Sequence, residues 1–136
     1  MNFNLANIPK RTKKNRKVGL TMVMDKGLST KEVENLMESS SDFIDIIKLG
    51  FGTAIISKNI KEKIRIYQSN NIKVHLGGTL FEAFIIRNMF NEFVQFVEKL
   101  NLDTIEISDG SIEIDHDKKC EYISKLSKKF TIFSEV

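Results

Sequence analysis

The sequence has one cysteine, one proline and no tryptophan among its 136 residues. A single thiol, Cys120, excludes an intramolecular disulfide and fits a reducing compartment. Pro9 precedes the first apolar run, and no Pro/Ser-rich linker divides the rest of the chain, so one domain is expected. No apolar stretch approaches the ~18 residues of a membrane-spanning helix. The N-terminus is basic but lacks the apolar stretch and small-residue cleavage site of a secretory leader. These absences lead to the expectation of a soluble, cytoplasmic protein with no membrane partner.

Aromatics are missing where charge is densest. Lys10, Arg11, Lys13, Lys14, Arg16 and Lys17 stand within residues 10–17, with no acid and no aromatic between them. Of 21 Lys and Arg, these six leave 15 basic residues against 18 acidic ones, so the remainder carries −3 against a total of +3. The basicity belongs to an arm, residues 1–17, and not to the domain, residues 18–136. Nucleic-acid binding calls for a basic face interleaved with aromatics, so no nucleic-acid partner is expected. The arm reads as a solvated lead-in to the first strand, or as a phosphate contact at its end.

What is present is a regular alternation. "VGLTMVM" (18–24) and "FIDIIKLG" (43–50) read as strands, as do "IKVHL" (72–76), "DTIEIS" (103–108) and "TIFSEV" (131–136). Between them lie helical patterns: one opened by a capping box of Ser29 and Glu32, one over about 57–69, one over 80–100 with a break near Asn88, and one from 115 to 130. Thr79 and Glu82 have the spacing of a second capping box. Val33, Leu36 and Met37 form the inner face of the first helix, and Cys120, Ile123, Leu126 and Phe130 that of the last. The order is β-α-β-α-β-α-β-α-β. The strands are short and continuously apolar, the pattern of a parallel sheet covered on its faces.

In parallel α/β folds chemistry gathers at the carboxyl ends of strands. Those ends carry Asp25-Lys26-Gly27, Lys48 with Gly50-Phe51-Gly52-Thr53, His75 with Gly77-Gly78-Thr79, Glu106 with Ser108-Asp109-Gly110, and Glu135. Carboxylates on one rim suit a hard cation such as Mg2+. Bare amides at a helix start suit an anion such as phosphate. Lys48 within an apolar strand demands a partner, because a buried unpaired charge is costly. The glycine turns also fit capping and close packing, and "GFGT" is not a P-loop, since no Gly-Lys-Ser/Thr comes after it. His75 equally fits a satisfied strand histidine, and Asp109-Gly110 a plain turn. Ser108 has no base partner that would make it a nucleophile. Cys120 reads as core and His116 as surface.

Five stretches, "GLTMVMDKGL" (19–28), "DFIDIIKLGFGTA" (42–54), "GGTLFEAF" (77–84), "IEISDGSI" (105–112) and "EV" (135–136), together resemble the phosphosulfolactate synthase family. The resemblance implies the parallel (βα)4β portion of a (β/α)8 TIM-type barrel. It further implies a lyase or synthase that adds sulfite to phosphoenolpyruvate with Mg2+, on the route to coenzyme M. It places Glu106, Asp109 and Glu135 near the metal. It gives Asp25 and Lys48 charge balance or proton transfer, and it places His75, Gly77, Gly78, Thr79 and Ser108 against the substrate. In the family the fifth strand runs on into a Gly-x-Lys segment and three further βα units, toward the roughly 250 residues of such barrels. The chain is therefore expected to be truncated, with two open sheet edges that favour self-association and an uncovered apolar surface around Phe81, Phe84, Phe90, Phe93 and Phe96. The alternatives are a non-catalytic half-barrel that binds a phosphorylated ligand or a partner, and an open flavodoxin-like binding module.

Overall fold

A computed structural model describes residues 5–135. Its framework is one five-stranded parallel sheet in the order β1-β2-β3-β4-β5. The strands are β1 (Met22–Asp25), β2 (Ile46–Leu49), β3 (Lys73–Leu76), β4 (Thr104–Ser108) and β5 (Thr131–Glu135). Between them run α1 (Thr30–Ser40), a one-turn α2 (Thr53–Ile56), α3 (Ile60–Ser69), α4 (Gly78–Ile85), α5 (Phe90–Lys99) and α6 (His116–Leu126). Val136, the last residue of the expected fifth strand, lies outside the described residues.

The strand order sets this sheet apart from a flavodoxin-like one. A flavodoxin-like sheet reverses its order, 2-1-3-4-5, and so carries helices on both faces. Here the order never reverses. With right-handed crossovers, all connecting helices then fall on one face. Asp25, Leu49 and Leu76 share a row that faces α3, because Asp25 meets Lys63 and Tyr67 of that helix. Alternation sends Met24, Lys48 and His75 to the opposite, helix-free face. On that face Met22 and Met24 of the β1 edge remain 44% and 38% exposed.

Local chemistry explains most boundaries. Ser29 caps α1 with the expected reciprocal bonds to Glu32, and Val33 and Met37 are buried beneath it. The break at Asn88 is real: this residue adopts φ +58 between α4 and α5. The first strand is shorter than its apolar run. Gly19 turns the chain with φ +65, and Val18 and Leu20 are exposed. The one-turn α2 ends at Ile56, so helical structure after β2 is split where one helix from 57 was expected.

Two further expectations change in three dimensions. The phenylalanines of α4 and α5 are not an uncovered surface. Phe81 and Phe93 are fully buried, and they pack edge-on to each other at 5.4 Å, with Phe81 also meeting Tyr122 of α6 at 5.6 Å. On α6 the buried stripe runs through Lys119 and Leu126, with Tyr122 and Ile123 half-buried, while Cys120 is exposed. Ile123, Leu126 and Phe130 keep the expected face, and only its first position changes, with Lys119 turned inward in place of Cys120.

The basic arm is not a free lead-in. Arg16 forms an ion pair with Asp45 at 2.9 Å, its side chain 2% exposed. Lys14 donates to the carbonyls of Ser41 and Asn70, just past the ends of α1 and α3, at 2.7 and 2.6 Å. Arg11 reaches Thr21 and the carbonyl of Phe43. Cations on carbonyls at helix C-termini also complement the helix dipole. The arm thus fastens the sheet at the end opposite the strand carboxyl ends.

Candidate functional site

Lys48 is the centre of the helix-free face. Its ammonium lies 2.7 Å from Glu106 Oε1 and 3.1 Å from Glu135 Oε2, so three strands, β2, β4 and β5, meet in one charged cluster. The sequence demanded a partner for a lysine on an apolar strand, and the fold supplies two. Burial alone would lower the Lys48 pKa, but the bonds to Glu106 and Glu135 outweigh it and hold the ammonium charged. Burial pushes the Glu106 carboxyl up, against its bonds to Lys48 and Gly78. The exposed Glu135 is held down, first by Lys48 and then by Glu106. Of the two carboxylates, Glu106 is the one disposed to hold a proton.

The double glycine is explained by what stands behind it. The Gly78 amide donates to Glu106 Oε1 at 2.7 Å. A Cβ on Gly78 would lie 2.3 Å from Ser108 Cβ and 2.9 Å from Glu106 Oε1, so α4 can begin this close to β4 only with glycine there. The amide at the start of α4, expected to cradle an external anion, holds Glu106 within the structure. Thr79 does not cap the helix. Gly77 is the N-cap and no side chain caps it. Glu82 departs from the capping-box reading: its carboxylate is buried and accepts from Ser108 Oγ at 2.6 Å and from the Ser111 amide at 3.2 Å. Thr79 itself is exposed on the first turn.

His75 sits beside the cluster, fully buried against Phe133 at 5.2 Å between ring centres. Its Nδ1 lies 3.0 Å from the Leu76 carbonyl and 3.7 Å from Glu106 Oε2. Burial lowers its pKa, and the charge of Lys48 adds to the effect, so the ring is neutral near pH 7. With Nδ1 donating to the carbonyl, Nε2 is left as a buried lone pair without a hydrogen-bond partner.

Asp25 is separated from this cluster by the pleat of β1. It is 1% exposed and faces α3. Oδ1 accepts from the Gly27 and Leu28 amides at 2.8 Å each, and Oδ2 accepts from Tyr67 Oη at 2.9 Å. Lys63 Nζ stands 2.8 Å from Oδ2 as a buried ion pair that lacks the alignment of a hydrogen bond. Burial raises the Asp25 pKa, but Lys63, the two amides and Tyr67 together reverse the sign and bring it below 3.8. A carboxyl depressed in the folded state stabilises the fold above its unfolded pKa and loses that contribution as pH falls through the folded value. Thermal melts from pH 6 to pH 2 are therefore expected to show stability dropping below about pH 4 as Asp25 takes up a proton. A midpoint unchanged across that range would contradict this account of Asp25.

Asp109 is held by a different lysine. Its Oδ1 accepts from Lys119 Nζ at 2.7 Å. Among the described residues, no group of three or more His, Cys, Asp or Glu side chains converges as a metal cage. Glu106 and Glu135 do converge, and an ammonium stands between them. The ammonium fills the space between them, and of the two only Glu135, which is exposed, has open sides on which a hard cation with water and substrate ligands could stand.

Sequence reading missed Lys119, Lys63 and Tyr67, and took Glu82 for a cap. Each acts through a partner distant in sequence, which local spacing does not show. Only Lys119 left a signal, since it stands three and four residues before Tyr122 and Ile123, on the same face of α6.

Residues 9–136 match the family described as (2R)-phospho-3-sulfolactate synthase (ComA). The chain belongs to this family. It is 40% identical over 131 residues to a phosphosulfolactate synthase from Methanothermobacter thermautotrophicus, covering 94% of this chain and 51% of the relative. It is 33% identical over 136 residues to one from Bacillus subtilis, covering 100% and 54%. It is 42% identical over 121 residues to one from Methanocaldococcus jannaschii, covering 87% and 48%. The family read from the strand-end motifs is thus borne out, and the chain spans about half the length of the curated relatives it matches. No helix among the described residues is long and apolar enough to cross a membrane.

Proposed function

We propose that this chain carries half of a TIM-type barrel that adds sulfite to phosphoenolpyruvate with Mg2+ in the cytoplasm, and that the cluster around Lys48 is its substrate site. The observation that carries this is the ammonium of Lys48 between Glu106 and Glu135, on the helix-free face at the strand carboxyl ends. In a barrel the helix-free face becomes the interior, and catalytic groups come from the ends of several strands.

In the reaction sulfite donates the electron pair of its sulfur to the methylene carbon of phosphoenolpyruvate. The C–S bond forms, the double-bond electrons move toward the carboxylate, and a proton is delivered to the neighbouring carbon. Lys48 faces the carboxylate and offsets the charge that develops on it. Glu106, raised by burial and bonded to Lys48, holds the proton that the neighbouring carbon receives. The neutral His75 backs the cluster, its ring against Phe133 and its Nδ1 3.7 Å from Glu106 Oε2. Glu135, the ionised carboxylate of the pair, would hold Mg2+, which when bound supplies positive charge to the substrate oxygens. Asp109 belongs to the same rim, and Gly77, Gly78 and Thr79 border it. The sheet has β1 and β5 at its edges, and pairing of those edges between copies would make the working unit a homo-oligomer.

The test is phosphorus NMR of phosphoenolpyruvate incubated with this chain, sulfite and Mg2+. A new phosphate-ester resonance that requires all three is the expected result. Phosphoenolpyruvate left unchanged, with no binding to the chain, would contradict the reading.

A further inference from the structure

Lys119 is a buried charge outside the Lys48 cluster. It lies on α6 with its side chain 5% exposed. Its ammonium donates to Asp109 Oδ1 and to the main-chain oxygen of Glu135, both at 2.7 Å. The first acceptor is in the loop after β4, and the second closes β5. A buried ammonium without such partners is strongly destabilising.

Two features give this contact a consequence at the site. The loop after β4 is already held from its other side, where Glu82 receives Ser108 Oγ and the Ser111 amide. The same ammonium reaches β5 at the main-chain oxygen of Glu135, the residue whose side chain lies 3.1 Å from Lys48. One buried charge thus joins the loop after β4 to the strand position that carries Glu135.

We propose that Lys119 is a positioning residue: it fixes the main chain at Glu135, and with it Asp109, so that the Glu135 carboxylate meets Lys48 from a set direction. This rests on reading the Lys48 cluster as the substrate site. Lys119 touches no substrate. It acts through Glu135, and its removal matters only while Glu135 can pair with Lys48.

The test compares Lys119→Met, Lys119→Arg, Glu135→Gln and the double variant Lys119→Met/Glu135→Gln in the full chain. The first readout is hydrogen exchange of the Lys48 ammonium by 15N NMR, which needs no substrate. Lys119→Met is expected to speed that exchange about tenfold, Lys119→Arg to leave it near wild type, and Lys119→Met to add nothing in the Glu135→Gln background. The second readout is the dissociation constant for phosphoenolpyruvate with Mg2+, expected to weaken about tenfold in Lys119→Met and to show the same non-additivity. If Lys119→Met does not fold, Lys119→Gln takes its place, since it can donate to one acceptor but not span both. Unchanged Lys48 exchange, or effects of Lys119 and Glu135 substitutions that simply add, would overturn the proposal. Failure of the wild-type chain to bind phosphoenolpyruvate would count against the proposed function, and the ammonium exchange would still decide the role of Lys119.

Discussion

Gly78→Ala is expected to destabilise the chain by about 3 kcal/mol or more, lowering the thermal midpoint by about 10 °C. On helix propensity alone the sign would be opposite, since alanine within a helix gains about 1 kcal/mol over glycine. The steric contact decides. The new methyl carbon would stand 2.3 Å from Ser108 Cβ, and that atom is fixed to the backbone of a buried strand and cannot rotate away. Either the start of α4 or the end of β4 must move. Movement there lengthens the 2.7 Å bond from the Gly78 amide to Glu106, so the Lys48 cluster loosens with the fold. Gly110→Ala is the control. Its methyl would meet Ser108 Oγ at 3.5 Å, an ordinary contact, and stability is expected to stay within about 0.5 kcal/mol. Thermal melts of the two variants check the contrast, and equal midpoints would contradict it.

Lys48→Met is expected to weaken phosphoenolpyruvate binding by about a hundredfold, because it removes a charge-assisted partner for an anionic substrate. Methionine keeps the stem's packing but leaves Glu106, 4% exposed, with the Gly78 amide as its one strong donor. Breaking a fully buried pair costs about 3–5 kcal/mol, and with Lys48 itself 15% exposed the stability loss is expected nearer 2 kcal/mol. Calorimetric titration and a denaturant melt of the same preparation separate the two effects. Binding unchanged in a folded Lys48→Met chain would remove Lys48 from the site.

How far the sequence reveals this molecule depends on the range of each interaction. The alternation of five strands and the α1 cap were legible because their signals are local, as with Ser29 and Glu32 three residues apart. Lys48 was legible because a lysine within "DIIKLG" cannot be buried without a partner. The identity of that partner was not, since Glu106 and Glu135 reach it only through sheet register. The same limit explains Glu82 and Asp25. Spacing made Glu82 a plausible cap, but a buried hydroxyl and amide from the β4 loop hold it. A strand-end aspartate reads as rim chemistry, but the pleat turns Asp25 to the helix side, where Lys63 and Tyr67 occupy it. The double glycine invited an external phosphate, and the structure fills that amide with its own carboxylate.

The central claim is that the helix-free face around Lys48 receives the substrate. Titration of phosphoenolpyruvate into the wild-type chain in the presence of Mg2+, with backbone amides monitored by NMR, tests it most directly. The account predicts saturable shifts concentrated at residues 48–50, 75–79, 106–110 and 135, and their loss in Lys48→Met. Saturable shifts at the opposite end of the sheet, around Arg16, Asp45 and Asn70, with the Lys48 region silent, would contradict it.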